Sequence, residues 1–236
     1  MVQSIVGFKL YSREKKVKKY IAMVILIALV AAGAFALNIT RSAGVGLLLD
    51  YSGNNGGYDK AGGITEFFGL RNMSFGGFAF FDISYVELGL SLSYGALKLV
   101  NKISDSTAKI TISADFGSAI QLGIIILGKY PIPIRNSSIS YFPLFGIDYN
   151  WVLSAKDPDG YKYDALGFKS IDFSQFGLLG GAGIDFIIAG NTFLRAEGLL
   201  HLRFTSKFMK DFSDALGFKT TLGIGPQIKV AFGGRF

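Results

Sequence analysis

The chain has no cysteine among its 236 residues. A disulfide framework and a thiolate metal site are therefore excluded. It has one histidine, His201, which removes most zinc and haem constellations. Half of its residues are apolar, yet long apolar runs are scarce. Only one approaches the roughly 20 residues that a transmembrane helix needs, and it is N-terminal. Lys9, Arg13, Lys15, Lys16, Lys18 and Lys19 precede it, and residues 20–36 form it, ending Ala34-Phe35-Ala36. This is the order of a secretory signal with an A-x-A site, cleaved after Ala36. An uncleaved anchor helix is the competing reading, and about 17 apolar residues is short for a span.

Cleavage would change the electrostatics. The chain carries a formal +7, and the basic segment with Glu14 holds +5 of it. Residues 37–236 are then left close to neutral for their size, and no nucleic-acid partner is read from the charge. The expected organisation is a signal over 1–36 and one domain over 37–236.

What the chain does have is alternation. In residues 192–205, Leu194, Ala196, Gly198, Leu200, Leu202 and Phe204 share one face. Arg195, Glu197, His201 and Arg203 share the other. Side chains alternate across a strand, so this one lies between an apolar and a polar medium. By the same parity Leu200 meets the apolar medium and Leu199 does not, so arginine should be tolerated better at 199. Similar strands are expected over 40–51, 72–83, 85–98, 109–128, 139–155, 176–188 and 218–236. The parity of 72–83 (Phe75, Phe78, Phe80, Phe81) is ambiguous. Long connections are expected at 52–71, 101–107, 156–175 and 206–217, the third of them carrying the turn-rich stretch Asp157-Pro158-Asp159-Gly160. Short ones are expected at 82–84 and 190–191, and Pro131 and Pro133 end the pairing of the fourth strand. Eight strands with long and short connections in alternation place both termini on the short-turn side.

One local motif repeats. Asp164-Ala165-Leu166-Gly167-Phe168-Lys169 returns as Asp214-Ala215-Leu216-Gly217-Phe218-Lys219, and more weakly as Glu66-Phe67-Phe68-Gly69-Leu70-Arg71. The physical reading is one helical turn closed by a left-handed glycine. Hairpin duplication and convergent loop chemistry explain the repeat equally well.

The polar faces decide the medium. They hold mostly Gly, Ser, Ala and single ionisable groups, which suit the crowded interior of an eight-stranded barrel. The apolar faces carry no charge, as lipid contact demands. Aromatic residues gather at strand ends: Tyr85, Tyr130, Tyr141, Phe193 and Phe232 toward the turns, Tyr51, Tyr94, Tyr149, Trp151 and Phe204 toward the loops. The expected fold is an all-β, eight-stranded, antiparallel, up-and-down transmembrane β-barrel in a cell outer membrane. A soluble secreted barrel or sandwich is the alternative.

On these strands residues 40–236 resemble the small bacterial outer-membrane barrels of the OmpA, OmpX and OmpW kind. The resemblance lies in architecture more than in any motif. Its most specific part is the last strand, ending on Phe236 with Phe232 before it. In that family a terminal aromatic is read by the barrel assembly machinery, which the resemblance implies as a partner alongside outer-membrane lipid. Gly234 departs from the pattern, since its place is usually apolar. Some such barrels are lipid A deacylases that need His-x-Ser, and here the stretch is His201-Leu202-Arg203. No enzyme activity is expected.

Gly180-Gly181-Ala182-Gly183 looks like a phosphate loop, but no lysine or helix follows it, and small residues on a packed strand explain it. Asp157, Asp159, Asn54, Asn55 and Asp59 read equally well as turn chemistry or loop calcium ligands. The stronger signal is charge inside the barrel. Glu87, Asp115, Asp148, Asp185 and Glu197, with Asp50, face Arg195, His201, Arg203, Lys219 and Lys229. A paired network centred on Glu197 is expected to plug the lumen, against a water-filled interior as the bland reading. No cofactor and no metal site are expected. The function expected is structural or surface interaction through four extracellular loops, with an extracellular ligand or host partner. A narrow transporter for small or apolar solutes is the alternative, and a lipid A-modifying enzyme comes third.

Overall fold

The computed structural model describes residues 41–236 apart from 62–63, 105–107 and 136. The expected signal over 1–36 lies outside the described residues. The strands are β1 (Arg41–Ala61), β2 (Ile64–Ile83), β3 (Val86–Ser104), β4 (Lys109–Lys129), β5 (Ile132–Pro133), β6 (Ile139–Lys156), β7 (Gln175–Ala189), β8 (Thr192–Arg203), β9 (Lys219–Thr220) and β10 (Gly223–Arg235). Among the described residues one α-helix, α1, covers Lys207–Ala215, and 3-10 turns cover Tyr163–Leu166 and Ser170–Phe173.

Eight of these strands form a ring. β1, β2, β3, β4, β6, β7, β8 and β10 pair antiparallel in that order. β10 then returns to β1, with Ser42 opposite Arg235 and Gly53 opposite Ile224. Closure removes the free edges that an open sheet would expose at this level. Both ends of the ring segment meet at one rim, where the Phe236 amide donates to the Arg41 carbonyl.

Two of the four expected loops are not loops. The stretch 52–71 continues as ladder, with Tyr58 opposite Phe67 and Ala61 opposite Ile64. β3 likewise runs on to Ser104, opposite Lys109. Glycine and polar residues there read as loop signals. Above the ring, however, a hairpin needs only backbone pairing and no apolar face. The weak third motif copy is corrected for the same reason: Gly69 lies inside β2, opposite Gly56, and closes no turn.

The two strong copies do fold alike. Gly167 takes φ 87° and Gly217 φ 75°. The Gly167 amide donates to the Asp164 carbonyl and the Phe168 amide to that of Tyr163. The Gly217 and Phe218 amides donate to Asp214 and Ser213 in the same way. This left-handed closure is open to glycine at little cost.

The other two connections fold over the long-loop end as a cap. Phe173 stacks on Phe208 at 4.4 Å, and Phe116 on Tyr163 at 5.0 Å. Met209, Leu70, Leu97, Val152 and Ala155 complete this cluster. The Ser206 side chain caps α1 by accepting from the Met209 amide, which seats Phe208 and Met209 inward. Ser174 and Ser170 pin the 3-10 turn to β6 by accepting from the amides of Val152 and Ala155. The Tyr163 hydroxyl donates to the Phe116 carbonyl. Burial, then the nearby Asp157 and Asp115, push this phenol up to about 12, so it stays a donor at neutral pH.

Phe116 reaches the cap because β4 bulges there. Leu97 pairs with Gly117, but Lys98 pairs with Asp115, skipping Phe116. Gly117 has φ 105°, and its amide donates to the Asp115 carboxylate at 2.9 Å. A bulge of this kind re-aims a side chain. A Cβ on Gly117 would collide with the Lys156 carbonyl. Gly117→Ala is therefore expected to lose about 1–3 kcal/mol, read as a lower urea midpoint. Asp115→Ala, which removes only the brace, should cost about 1 kcal/mol.

Candidate functional site: the charged interior of the ring

The ring is polar inside and apolar outside. Val45 is 66% exposed and Phe145 70%, whereas Arg195 is 0% and Lys229 1% exposed. Phe75 points out, while Phe78 and Phe80 point in, which settles the parity of β2. Tyr85 and Tyr130 stack on the outside at 5.8 Å. Tyr94, Tyr149, Trp151, Phe204, Tyr141 and Phe232 are also exposed. Phe193, expected in this outer belt, is instead fully buried among Leu48, Phe78, Phe80 and Ala231. It sits at an odd position on β8, beside Arg195, so parity turns it inward.

Arg195 is the hub. Its five N–H donors meet five carboxylate contacts. Nε and Nη2 bind Asp185 at 2.7 and 3.0 Å. Nη2 and Nη1 bind Asp82 at 2.7 and 3.2 Å. Nη1 also binds Glu87 at 2.9 Å. The planar fork of guanidinium suits two bidentate carboxylates. Its face is covered as well: Phe80 lies 4.1 Å away, Phe193 5.0 Å and Phe142 5.1 Å. Edge-on carboxylates and face-on rings together use both binding modes of the cation.

Two lysines complete this group. Lys129 binds Asp82 at 2.8 Å and lies over the Phe142 ring at 4.1 Å. Lys229 binds Glu197 at 3.0 Å and Glu87 at 3.5 Å, over Phe78 at 5.3 Å. The Ser42 hydroxyl donates to Asp82 at 2.6 Å. At the rim Arg235 lies 3.9 Å from Asp185. The expected centre, Glu197, is peripheral: it touches Lys229 closely and Arg195 only at 3.9 Å.

A second group lies further along β8. His201 Nδ1 is 3.0 Å from Asp50, and its Nε2 is 3.9 Å from Asp148. Arg203 Nη2 binds Asp50 at 2.8 Å and Asp148 at 3.4 Å. Leu199 separates the two groups along the strand. It is buried with Ile125, Leu127, Phe142, Leu144 and Leu179. Leu199→Arg would therefore place a charge in a packed apolar layer, and the expectation that arginine is tolerated there is corrected. Toward the cap, a cavity of about 20 Å³ is bordered by Ser52, Asn72, Gln121, Asn150 and Gln175. That volume suits one water molecule.

Of the charges expected inside, Asp50, Glu87, Asp148, Asp185, Arg195, Glu197, His201, Arg203 and Lys229 come together as described. Asp115 and Lys219 do not. Asp115 is exposed, because the bulge at Phe116 breaks the parity that pointed it inward. Lys219 is exposed in β9, which pairs with Gly57 and Tyr58 of β1 beyond the ring. Sequence reasoning missed Asp82 and Lys129. Both sit at strand ends, where turn signals at 82–84 and Pro131 drew the reading away from the interior. Parity from β3 and β4 could have found them, since Asp82 is opposite Glu87 and Lys129 opposite Leu144.

Gly181 and Gly183 of the glycine stretch are packing residues. A side chain at Gly181 would strike Leu199, and one at Gly183 would strike the Phe142 ring. Asp157 serves its turn, accepting from the Tyr161 amide at 2.8 Å.

Removing the hub should be the costliest change inside. Arg195→Met strands Asp82, Glu87 and Asp185 without their shared cation, and an expected 3–5 kcal/mol is lost, roughly the cost of breaking a buried pair. Glu197→Gln should cost clearly less. Equilibrium unfolding of both variants in detergent checks the order, and a larger loss at Glu197 would return the hub to that residue.

No protein-family model matches the chain, and no curated protein matches it. Among solved structures it is similar to the translocator domain of the autotransporter NalP from Neisseria meningitidis, with 11% identity over 94% of this chain and 98% of that one, at a TM-score of 0.24. The closed antiparallel ring rests on its own strand pairing and not on this likeness.

Proposed function

We propose that the chain spans a bacterial outer membrane as a closed eight-stranded β-barrel, and that it acts at the cell surface and not as a conduit. The observation that carries the membrane reading is the inversion of the ring. Its buried side chains include Arg195, Arg203, Lys229, Glu87 and His201, while its exposed belt is Val, Leu, Ile, Phe, Tyr and Trp. Monomeric soluble proteins seldom expose apolar area on this scale. No described helix is long and apolar enough to cross a membrane; the proposed crossing is by strands. The β1–β10 seam from Ser42 to Gly53 suits this: about 12 residues at about 3.3 Å, tilted by about 40°, rise about 30 Å against an apolar band about 25 Å tall.

The surface role is supported by what fills the lumen. The Arg195 group closes one level, the Leu199 layer the next, and the Phe173–Phe208 cap the long-loop end. Hairpins β1–β2 and β3–β4 and the cap are then what the protein offers outside. Phe236, 69% exposed at the other rim, suits recognition by an assembly machinery, and the outer belt suits lipid. An extracellular ligand or host partner would meet the hairpins and cap.

Two measurements test this reading. Leu200, 53% exposed on the outer face, should resist arginine: Leu200→Arg is expected to lower stability in bilayers by about 2–4 kcal/mol. If the outer face met water, the change would be harmless. Wild-type protein in planar bilayers should give no steady conductance, and a large stable conductance would favour the narrow transporter instead.

A further inference from the structure

Beyond the ring the sheet has two edges, and they are treated differently. On one side β9 covers β1, with Lys219 opposite Tyr58 and Thr220 opposite Gly57. On the other side β4 pairs with β6 only from Ser118 onward. Lys109–Asp115 pair with β3 alone among the described residues. Each of these residues is exposed, with Ile110 at 54% and Ile112 at 58%. Such an edge offers alternate N–H and C=O groups to an incoming strand. Proteins blunt edges with proline, inward charge or a bulge. The stretch Lys-Ile-Thr-Ile-Ser-Ala-Asp has no proline, and the bulge at Phe116 lies below it.

The occupant is indicated by the sequence of the edge, which complements itself. Place two copies antiparallel with Ile112 opposite Ile112. Lys109 then meets Asp115 at both ends. Thr111 meets Ser113 on that same face. On the other face Ile110 meets Ala114, flanking the central isoleucine pair. Opposite charges, paired hydroxyls and β-branched apolar pairs are the cross-strand combinations that stabilise sheets.

We propose that this β4 edge binds the same edge of a second copy of the chain through that register. Antiparallel pairing turns the two rings end for end. Copies in one membrane all point the same way, so the pair joins copies on two facing membranes. That last step rests on the membrane reading above, whereas the pairing does not.

The full chain in detergent should show a concentration-dependent monomer–dimer equilibrium by sedimentation. Lys109→Asp and Asp115→Lys each set like charges opposite one another twice, and each should weaken the dimer about tenfold or more. Mixing these two variants restores opposite charges at both ends, and so should restore dimers. Asp115→Lys also removes the acceptor of the Gly117 amide. Ile112→Lys leaves the bulge alone, sets two lysines opposite each other at the centre of the register and should abolish the dimer, so it tests the pairing even if Asp115→Lys misfolds. A wild-type monomer at every concentration, or a dimer indifferent to these changes, overturns the pairing. Phosphatidylcholine vesicles carrying the protein should cluster, and those carrying Ile112→Lys should not. Dimers in detergent without clustering of loaded vesicles overturn the facing-membrane step alone. Failure to insert into vesicles would instead count against the membrane reading.

Discussion

A charge held in a closed, narrow interior must find its counter-charge there. The rest of the structure depends on how Arg195 satisfies that constraint. Buried and unpaired, it would destabilise the ring by several kcal/mol, roughly. Paired with Asp82, Glu87 and Asp185, it leaves those carboxylates in surplus. Lys129 and Lys229 offset the surplus, with Glu197 answering Lys229 in turn. Each member thus requires the next. A network of this kind is stable only when every member is satisfied. Charge inside the ring therefore acts as filling: it takes up volume and fixes orientation together.

Aromatic rings share the interior with the charges, and glycine makes the room. A side chain at Gly44 would strike Phe80, one at Gly183 would strike Phe142, and one at Gly233 would strike Phe193. Those three rings are the ones that flank Arg195. The small residues on the polar faces are thus not merely inert. They let Phe80 of β2 and Phe142 of β6 fold across the lumen against a cation drawn from another strand, and Phe193 against the cation of its own strand. This also explains why Phe193 lies inside despite its place in an apparent aromatic belt.

The ring was legible in the sequence because alternation is dictated by geometry. Wherever one face is apolar and exposed and the other faces a crowded lumen, residue type must change at every step. β8 and β10 show this most clearly, and nine of the eleven expected interior charges lie inside, all but Asp115 and Lys219. Legibility failed where that constraint lapses. Above the ring both faces of a hairpin are free of it, so the β1–β2 extension reads as a loop. At Phe116 one extra residue reverses the parity, so Asp115 is misplaced. At the lower rim, Asp82 and Lys129 stand where turn residues dominate the local signal. The hub was misassigned for another reason. Order along β8 puts Glu197 nearest the basic residues, but which charge collects the most partners depends on strands across the lumen.

That reach across the lumen has a consequence for how the ring closes. Asp185 is opposite Arg195 on the adjacent strand β7 and can meet it in an open hairpin. Asp82 and Glu87 lie 113 and 108 residues away in sequence, on β2 and β3. Lys229 likewise joins β10 to Glu87 on β3. In an open sheet Arg195 would keep one carboxylate, and the others would remain in surplus. Only the closed ring brings opposite walls together and satisfies all of them at once. The backbone seam between β1 and β10 and the ion network across the lumen therefore depend on one another. Each makes the other more favourable, alongside the apolar layers around Leu199 and Phe193.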